Sequence, residues 1–193
     1  TYSPMKSLGL RFDSPLANDI YQVLRPAKTL KNHNLKSFDA LRFRNSGNDF
    51  GQTMLKDISY TQLAINANMD VELMYYQQCH LFVNNQYYGL INLRTENNLY
   101  GMTGLNQVDS TSISPMKIDV DNGNLEWDEG DHMMADKFVK ALKNQNTESL
   151  WEMINESSFL DYIIFQDYIG NFDWPHNNTR MYSLKGEPFR FIL

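Results

Sequence analysis

The sequence offers little for covalent cross-linking and nothing for a membrane span. Cys79 is the only cysteine in 193 residues, so an internal disulfide is impossible and paired-cysteine zinc motifs are absent. Because a free cysteine packs as a small apolar residue, we expect the Cys79 thiol to be buried. No apolar run approaches the roughly 18 residues that a membrane-spanning helix needs, which excludes such a helix.

Basic residues are outnumbered by acidic ones, and the formal net charge is −6. Nucleic-acid phosphates require a basic surface, so this balance argues against a nucleic-acid partner. The sequence also lacks an initiator methionine and a basic-then-apolar signal segment, and its last residues, Phe189–Leu193, are typical of a strand in mid-course. We therefore expect a fragment of a longer protein or a mature domain.

The first half of the chain has the pattern of strands around one helix. Residues 38–44 alternate between apolar and polar side chains, which predicts a strand, and the polar residues 45–49 predict a turn after it. Apolar positions recur at helical spacing from Gly51 to Asn66. Residues 80–83 and 87–93 predict a hairpin, because the asparagines between them tolerate the backbone of a tight turn.

The second half predicts helices followed by a small hairpin. Residues 97–131 lack periodicity and are interpreted as loops, with a turn at 121–124. Helices are expected at 132–144 and 147–155, and a third begins near Ser158 with the serine hydroxyl as its cap. That helix is apolar nearly all round, which predicts burial, and Gly170 suits its end. Strands should follow on either side of a turn at 185–188, and the chain is therefore α+β in two layers or lobes.

The polar segment Asn171–Asn178 is the strongest candidate site. It follows a helix that is expected to be buried, and Pro175 prevents the helix from continuing. Asp173 and Asn178 are five residues apart and could bind one hard cation such as Mg²⁺, or the carboxylate could accept a hydroxyl proton. A simple capped turn explains the same residues. His176 could act as a base or metal ligand, but a lone histidine in a loop is more often a solvated side chain.

Cations in the first half form a second candidate site. Lys36, Arg42 and Arg44 flank or lie on the first predicted strand, where they could bind phosphate. A solvated strand face accounts for them equally well. No glycine-rich phosphate-binding loop is present.

Four segments together resemble the CotH (spore coat protein H) kinase family. They are Lys36–Phe38 with Leu41–Asp49, the hairpin Val83–Arg94, the loop Gly170–Asn178 and the closing strand Pro188–Leu193. The hairpin resembles the family pattern NGxYxGxxxLRE, and the loop resembles GNxDWPxNN. The resemblance runs from about Lys36 to the last residue, and its loop motif is the most specific part.

The resemblance implies a protein-kinase-like, two-lobed fold, with residues 1–96 as a strand-rich lobe and residues 97–193 as a helical lobe. It also implies ATP with Mg²⁺ or Mn²⁺, transfer to Ser or Thr of a protein substrate, and a place on the spore coat, in secretion or at the cell surface. A helix, an Asp-x-x-x-x-Asn loop and a hairpin follow in the order that protein kinases use. On that template Asp173 is the catalytic acid and Asn178 is a metal ligand.

The resemblance assigns nucleotide contacts to the first lobe. Arg42, or second to it Lys36, would bind phosphates, and the segment from Arg94 through Glu96 to Asn97 would lie near the adenine. Thr95 stands where the family usually has glutamate. The metal-binding aspartate would fall just after Leu193, so we expect this chain by itself to transfer phosphate poorly.

Two other functions fit the same residues. A non-catalytic coat or surface scaffold would bind partner proteins without nucleotide. Metal-assisted hydrolysis through Asp173 and His176 would release phosphate from ATP without forming a phosphoprotein.

Overall fold

The chain is an α+β protein built on antiparallel sheets, as the sequence predicts. A computed structural model describes residues 5–17, 37–106, 108–119, 124–127 and 130–193. These residues divide into two compact units, which fall within 1–67 with 74–107 (unit 1) and within 68–73 with 108–193 (unit 2). Among the described helices, none has the length and apolar character that a bilayer crossing requires.

Unit 1 contains a four-stranded sheet and two helices. The strands are β1 (Leu8–Ala17), β2 (Ser37–Arg44), β3 (Tyr76–Val83) and β4 (Gln86–Thr95), in the spatial order β1-β2-β4-β3, and the helices are α1 (Lys56–Asn66) and α2 (Leu99–Asn106). Leu41 of β2 and Ile91 of β4 lie in the core of this unit. Cys79 of β3 is half-buried rather than fully buried, and this burial raises the pKa of its thiol.

The predicted hairpin is confirmed as β3 and β4. Its turn contains two residues, Asn84 and Asn85, with φ of 50° and 61°. Positive φ at both central positions matches the type I′ turn that joins twisted antiparallel strands, and asparagine tolerates this conformation better than most residues do. The turn therefore fixes the register of the two strands.

Helix α1 begins at Lys56 rather than at the predicted Gly51. Asp49 explains the difference, because its carboxylate accepts hydrogen bonds from the Thr53 hydroxyl at 2.7 Å and from the Lys56 backbone N–H at 3.0 Å. These bonds hold residues 49–55 in turns, and Met54 has a positive φ of 58°. They also lower the pKa of Asp49, with the Lys56 backbone bond as the largest cause.

Unit 2 contains a second four-stranded antiparallel sheet and three helices. The strands are β5 (Ile113–Asp119), β6 (Asn124–Glu126), β7 (Thr179–Leu184) and β8 (Arg190–Ile192), in the order β6-β5-β7-β8, and the helices are α3 (Met133–Lys143), α4 (Thr147–Glu152) and α5 (Glu156–Tyr168). The segment 68–73 runs beside β8, where the Glu72 N–H donates to the Phe191 carbonyl at 2.8 Å. The two helices predicted at 132–144 and 147–155 and the final hairpin are confirmed.

The interpretation of residues 97–131 as loops is wrong, because they contain α2, β5 and β6. Glycines weaken the helical signal of α2, since glycine is a poor helix former. Gly101 is required there, because a Cβ atom at this position would lie 1.9 Å from the Glu96 carbonyl oxygen. Strand β5 is defined by pairing with β7, more than 60 residues later in the chain. The turn predicted at 121–124 falls largely outside the described residues.

Two expectations about the third helix of unit 2 are also wrong. Helix α5 begins at Glu156, and its cap is Asn155, whose side chain accepts from the Ser158 N–H at 2.9 Å. The Ser158 hydroxyl instead accepts from the Phe191 N–H. Only one face of α5 is buried, because Ile164 and Tyr168 are 60% and 76% exposed. Gly170 follows the helix end with φ of 60°, as predicted.

The β3–β4 turn gives a first test of this fold. Replacement of Asn85 by glycine should preserve or raise the free energy of unfolding, whereas Asn85→Val should lower it by about 1–2 kcal/mol, because a β-branched residue disfavours positive φ. Urea unfolding of the three proteins measures the difference. Equal stability of the glycine and valine variants would contradict the turn assignment.

Candidate functional site

The loop from Asn171 to Asn178 joins α5 to β7, and it is non-helical as predicted. The side chains of Asp173 and Asn178 are both exposed. The Asn177 N–H donates to the Asp173 carbonyl at 3.1 Å, which closes the loop into a tight turn. Asn178 has a φ of 59°, a conformation that asparagine tolerates. The loop thus presents a carboxylate and an amide to solvent from a hydrogen-bonded turn.

Buried side chains hold this loop from below. The Asn171 side-chain oxygen accepts from the Asp173 N–H at 3.2 Å, and the Asn171 side-chain amide donates to Gln166 Oε1 at 2.7 Å. The ring of Trp174 packs edge-on against Tyr162, with 6.1 Å between ring centroids. The position of Asp173 therefore depends on α5 as well as on the loop itself.

The donor set of the loop suits a hard cation. Asp173 and Asn178 provide oxygen donors, and Mg²⁺ is commonly held by one or two protein oxygens together with water and phosphate. Within the described residues no three or more His, Cys, Asp or Glu side chains gather in a way that could hold a metal ion. Two protein oxygens would leave the other coordination positions of such an ion to water or substrate.

In unit 1, strands β2 and β4 bring three arginines onto one face of the sheet. Arg42 lies directly opposite Arg94 in the antiparallel register, and Arg44 is two residues further along β2. Side chains two residues apart on a strand project from the same face. Two carboxylates partner these three cations: Asp57 pairs with Arg44 and Arg94, and Glu96 pairs with Arg42.

Arg94 is the most deeply buried of these residues, at 1% exposure. Its guanidinium group forms an ion pair with Asp57 of α1, and it also donates to the Thr61 hydroxyl at 2.8 Å and to the Met74 carbonyl at 3.0 Å. The second oxygen of Asp57 accepts from Arg44 Nε at 3.0 Å. One carboxylate thus joins α1 to arginines on two strands.

These contacts set the ionisation of Asp57. Burial alone would raise the pKa of its carboxyl, but the charges and hydrogen bonds of Arg94 and Arg44 outweigh that effect and hold the pKa below its ordinary value. Asp57 therefore remains ionised throughout the neutral range.

The Arg42 and Glu96 side chains form the second ion pair. Arg42 Nε donates to Glu96 Oε1 at 2.8 Å, and the exposed fractions of the two side chains are 47% and 7%. The buried carboxylate thus fixes the Nε side of a guanidinium group that is itself half-exposed. This arrangement is suited to binding an anion.

The candidate residues from the sequence fall into both units. Unit 1 contains Arg42, Arg94 and Glu96, and unit 2 contains Asp173 and Asn178 on one loop. Lys36 lies outside the described residues. The sequence interpretation missed Gln166 and Tyr162 beneath the loop. Gln166 was detectable as a polar residue within the apolar pattern of α5.

Comparison with known families gives a match that covers the second half of the chain. The chain matches the family model described as CotH kinase protein over residues 93–193, which is more than half of its length. It therefore belongs to the CotH kinase family. No curated protein matches the chain.

The Asp57 ion pairs give a pH-dependent prediction. The pKa of the Asp57 carboxyl in the folded protein lies below its ordinary value of 3.8. The stabilisation that its ion pairs provide is therefore fully present above pH 3.8, and it is lost as the pH falls through the folded-state pKa. Asp57→Asn should lower the free energy of unfolding by about 3 kcal/mol near pH 7, because it leaves Arg94 buried without its partner. The difference in the free energy of unfolding between Asp57→Asn and the unchanged protein should become smaller below about pH 4.

Urea unfolding at a series of pH values measures this difference. Asp109→Asn, at an exposed position, is the control and should show little difference at any pH. A stability loss in Asp57→Asn that is the same at pH 7 and at pH 3 would contradict the ion-pair interpretation.

Proposed function

We propose that the protein transfers the γ-phosphoryl group of ATP to a Ser or Thr hydroxyl of a protein substrate. The observation that carries this proposal is the loop of Asp173 and Asn178, which lies between helix α5 and the β7–β8 hairpin. Protein kinases place an aspartate and an asparagine at the same spacing in their catalytic loop. Membership of the CotH kinase family supports the same reaction class.

In the proposed reaction Asp173 orients the acceptor hydroxyl and accepts its proton. The Asp173 side chain is exposed and so is accessible to a protein substrate. The hydrogen bond that the Asp173 N–H donates to the Asn171 side chain holds the residue in place. Asp173 and Asn178 are the residues that would hold Mg²⁺ or Mn²⁺. A bound ion of this kind neutralises the charge on the phosphates during transfer.

Arg42 is the proposed phosphate contact of unit 1, with Lys36 as the second choice. The half-exposed guanidinium group of Arg42 can donate to phosphate oxygens while Glu96 holds it in place. Glu96 and Arg94 are buried, so their proposed roles in nucleotide binding are indirect. Glu96 holds the Arg42 side chain, and Arg94 pairs with Asp57. The Arg44–Asp57–Arg94 ion pairs join a helix to the sheet, much as a lysine–glutamate pair does in protein kinases.

A second candidate function is a coat or surface scaffold of the same fold that binds partners without catalysis. The exposed apolar side chains of Leu160, Ile164 and Tyr168 on α5 favour it, because such patches often mark interaction surfaces. Under either function we propose that the protein is on the spore coat, secreted or at the cell surface. The name of the family supports the spore coat.

The central test is Asp173→Asn in the protein at its full natural length. We expect transfer of label from γ-labelled ATP to an acceptor protein to fall by about 10²–10⁴-fold, because asparagine cannot accept the hydroxyl proton. Asp167→Asn is the matched control, since it removes an exposed carboxylate from α5 just before the loop. It should leave the rate unchanged.

Other outcomes of this test would favour other functions. Release of phosphate without labelled protein would indicate metal-assisted hydrolysis. An absence of both products, with folded protein and with Mg²⁺ and Mn²⁺ each supplied, would overturn the kinase proposal and favour the scaffold.

Arg42 gives an independent test of nucleotide binding. Arg42→Gln should raise the KM for ATP about tenfold or more, because a hydrogen bond to a charged group typically contributes about 1.5–3 kcal/mol. Lys143→Gln on α3 changes the net charge equally and serves as the control. An unchanged KM in Arg42→Gln would remove Arg42 from the phosphate site.

A further inference from the structure

The buried face of α5 contains polar side chains among its apolar ones. Tyr162 and Gln166 are one helical turn apart and are only 2% and 6% exposed, and they flank the buried ring of Phe165. A polar group buried in this way is costly unless it is hydrogen-bonded. The partners of these two side chains therefore show what the polar groups stabilise.

Gln166 is linked to the backbone of Asp173 through one side chain. Its Oε1 atom accepts from the Asn171 side-chain amide at 2.7 Å, and the Asn171 side-chain oxygen accepts from the Asp173 N–H at 3.2 Å. Both functional ends of the Asn171 amide are thus engaged. The orientation of Asn171, and with it the start of the loop, is fixed by Gln166.

Tyr162 contacts both sides of the same loop. Its ring packs edge-on against Trp174, the neighbour of Asp173, at 6.1 Å between centroids. Its hydroxyl is hydrogen-bonded by the side chains of Thr179 and Gln166, and Thr179 is the neighbour of Asn178. Thr179 is itself buried, at 6% exposure. The hydroxyl thus connects the far end of the loop to the Gln166 link.

From this network we infer that Gln166 and Tyr162 are positioning residues for Asp173 and Asn178. The inference rests on the proposed function, because it assigns the network to the reaction that those two side chains would serve. The two positioning residues touch neither substrate nor nucleotide in this scheme. They act by holding the Asp173 carboxylate and the Asn178 amide at a fixed separation on an exposed loop. A small displacement of a reacting group can lower the reaction rate strongly.

Helix α5 also provides a matched control. Ser158 is completely buried on the same helix, and its hydroxyl accepts from the Phe191 N–H at 2.9 Å. Ser158→Ala therefore removes a buried hydrogen bond of α5 that connects to β8 rather than to the loop. Any general loss of stability in the helix should appear in this variant as well.

The experiment compares Gln166→Met, Tyr162→Phe and Ser158→Ala in the full-length protein. Methionine keeps the length and volume of glutamine but removes its hydrogen bonds, and phenylalanine keeps the ring contact with Trp174 but removes the hydroxyl. Four quantities are measured for each variant: kcat, KM for ATP, the Tm, and amide hydrogen exchange by NMR at Asp173 and Asn177. The exchange measurement needs neither ATP nor activity.

We expect kcat of Gln166→Met to fall by about 10- to 100-fold with little change in the KM for ATP, because the loop is displaced while nucleotide contacts elsewhere persist. Tyr162→Phe should show a smaller loss in kcat. Exchange at the Asp173 and Asn177 amides should accelerate several-fold in Gln166→Met, because their turn loses its anchor. Ser158→Ala should lower the Tm but leave both kcat and this exchange unchanged.

Two results would overturn the inference. One is unchanged kcat and unchanged exchange in both Gln166→Met and Tyr162→Phe. The other is an equal loss of kcat in Ser158→Ala, which would show that any damage to α5 has the same effect. If the unchanged protein transfers no phosphoryl group, the proposed function fails, and amide exchange alone then decides whether the network positions the loop. If Gln166→Met does not fold, Tyr162→Phe decides.

Discussion

The structure depends on one constraint, which is that a charged or polar group removed from water must be given partners. Arg94 shows this in unit 1. Its guanidinium group is almost completely buried, and leaving such a charge without a partner typically costs about 3–5 kcal/mol. Asp57 of α1 supplies the opposite charge, although Arg94 Nε is buried without a hydrogen-bond partner among the described residues. Because Asp57 also pairs with Arg44, the helix is held against two strands at once. The position of α1 on the sheet follows from this shared carboxylate.

The same constraint operates in unit 2 with neutral groups. Tyr162 and Gln166 are buried on α5, and their hydrogen bonds reach Asn171 in the loop that follows the helix and Thr179 at the start of β7. The apolar core beneath them, which includes Phe165, Phe189 and Phe191, excludes water and so strengthens the requirement. A solvent-exposed loop thereby acquires an ordered geometry. This is a general way in which a rigid scaffold holds reactive groups that must themselves remain accessible.

Both candidate sites of this CotH kinase family member have the same layered construction. An accessible group faces solvent, and a buried group behind it fixes its orientation. Glu96 stands behind Arg42 in unit 1, and the network of Gln166, Asn171 and Tyr162 stands behind the loop of Asp173 in unit 2. Phosphoryl transfer depends mainly on positioning and on charge neutralisation, and fixed side chains of this kind are what that chemistry requires.

The sequence by itself determined the parts of the protein that are governed by short-range chemistry. Four local features were recognisable from their own residues and close neighbours. They are the alternating pattern before Arg44, the paired asparagines of the β3–β4 turn, the position of Gly170 and the Asp-Trp-Pro loop. The match to the family model covers residues 93–193, which include Gly170 and the Asp-Trp-Pro loop.

Only the tertiary structure decided the rest, because it depends on partners distant in the chain. Strand β5 could not be predicted from its own residues, because it is defined by its pairing with β7. Helix α2 was not predicted because it contains glycines, of which Gly101 allows the helix to lie close to the Glu96 backbone. Helix α5 is apolar on faces that the described residues do not cover, so its composition overstated its burial. The folded arrangement likewise decided that Asp57 pairs with Arg94, and that Gln166 and Asn171 hold the loop at Asp173. A buried polar group takes its partner from three-dimensional proximity, which the order of residues does not reveal.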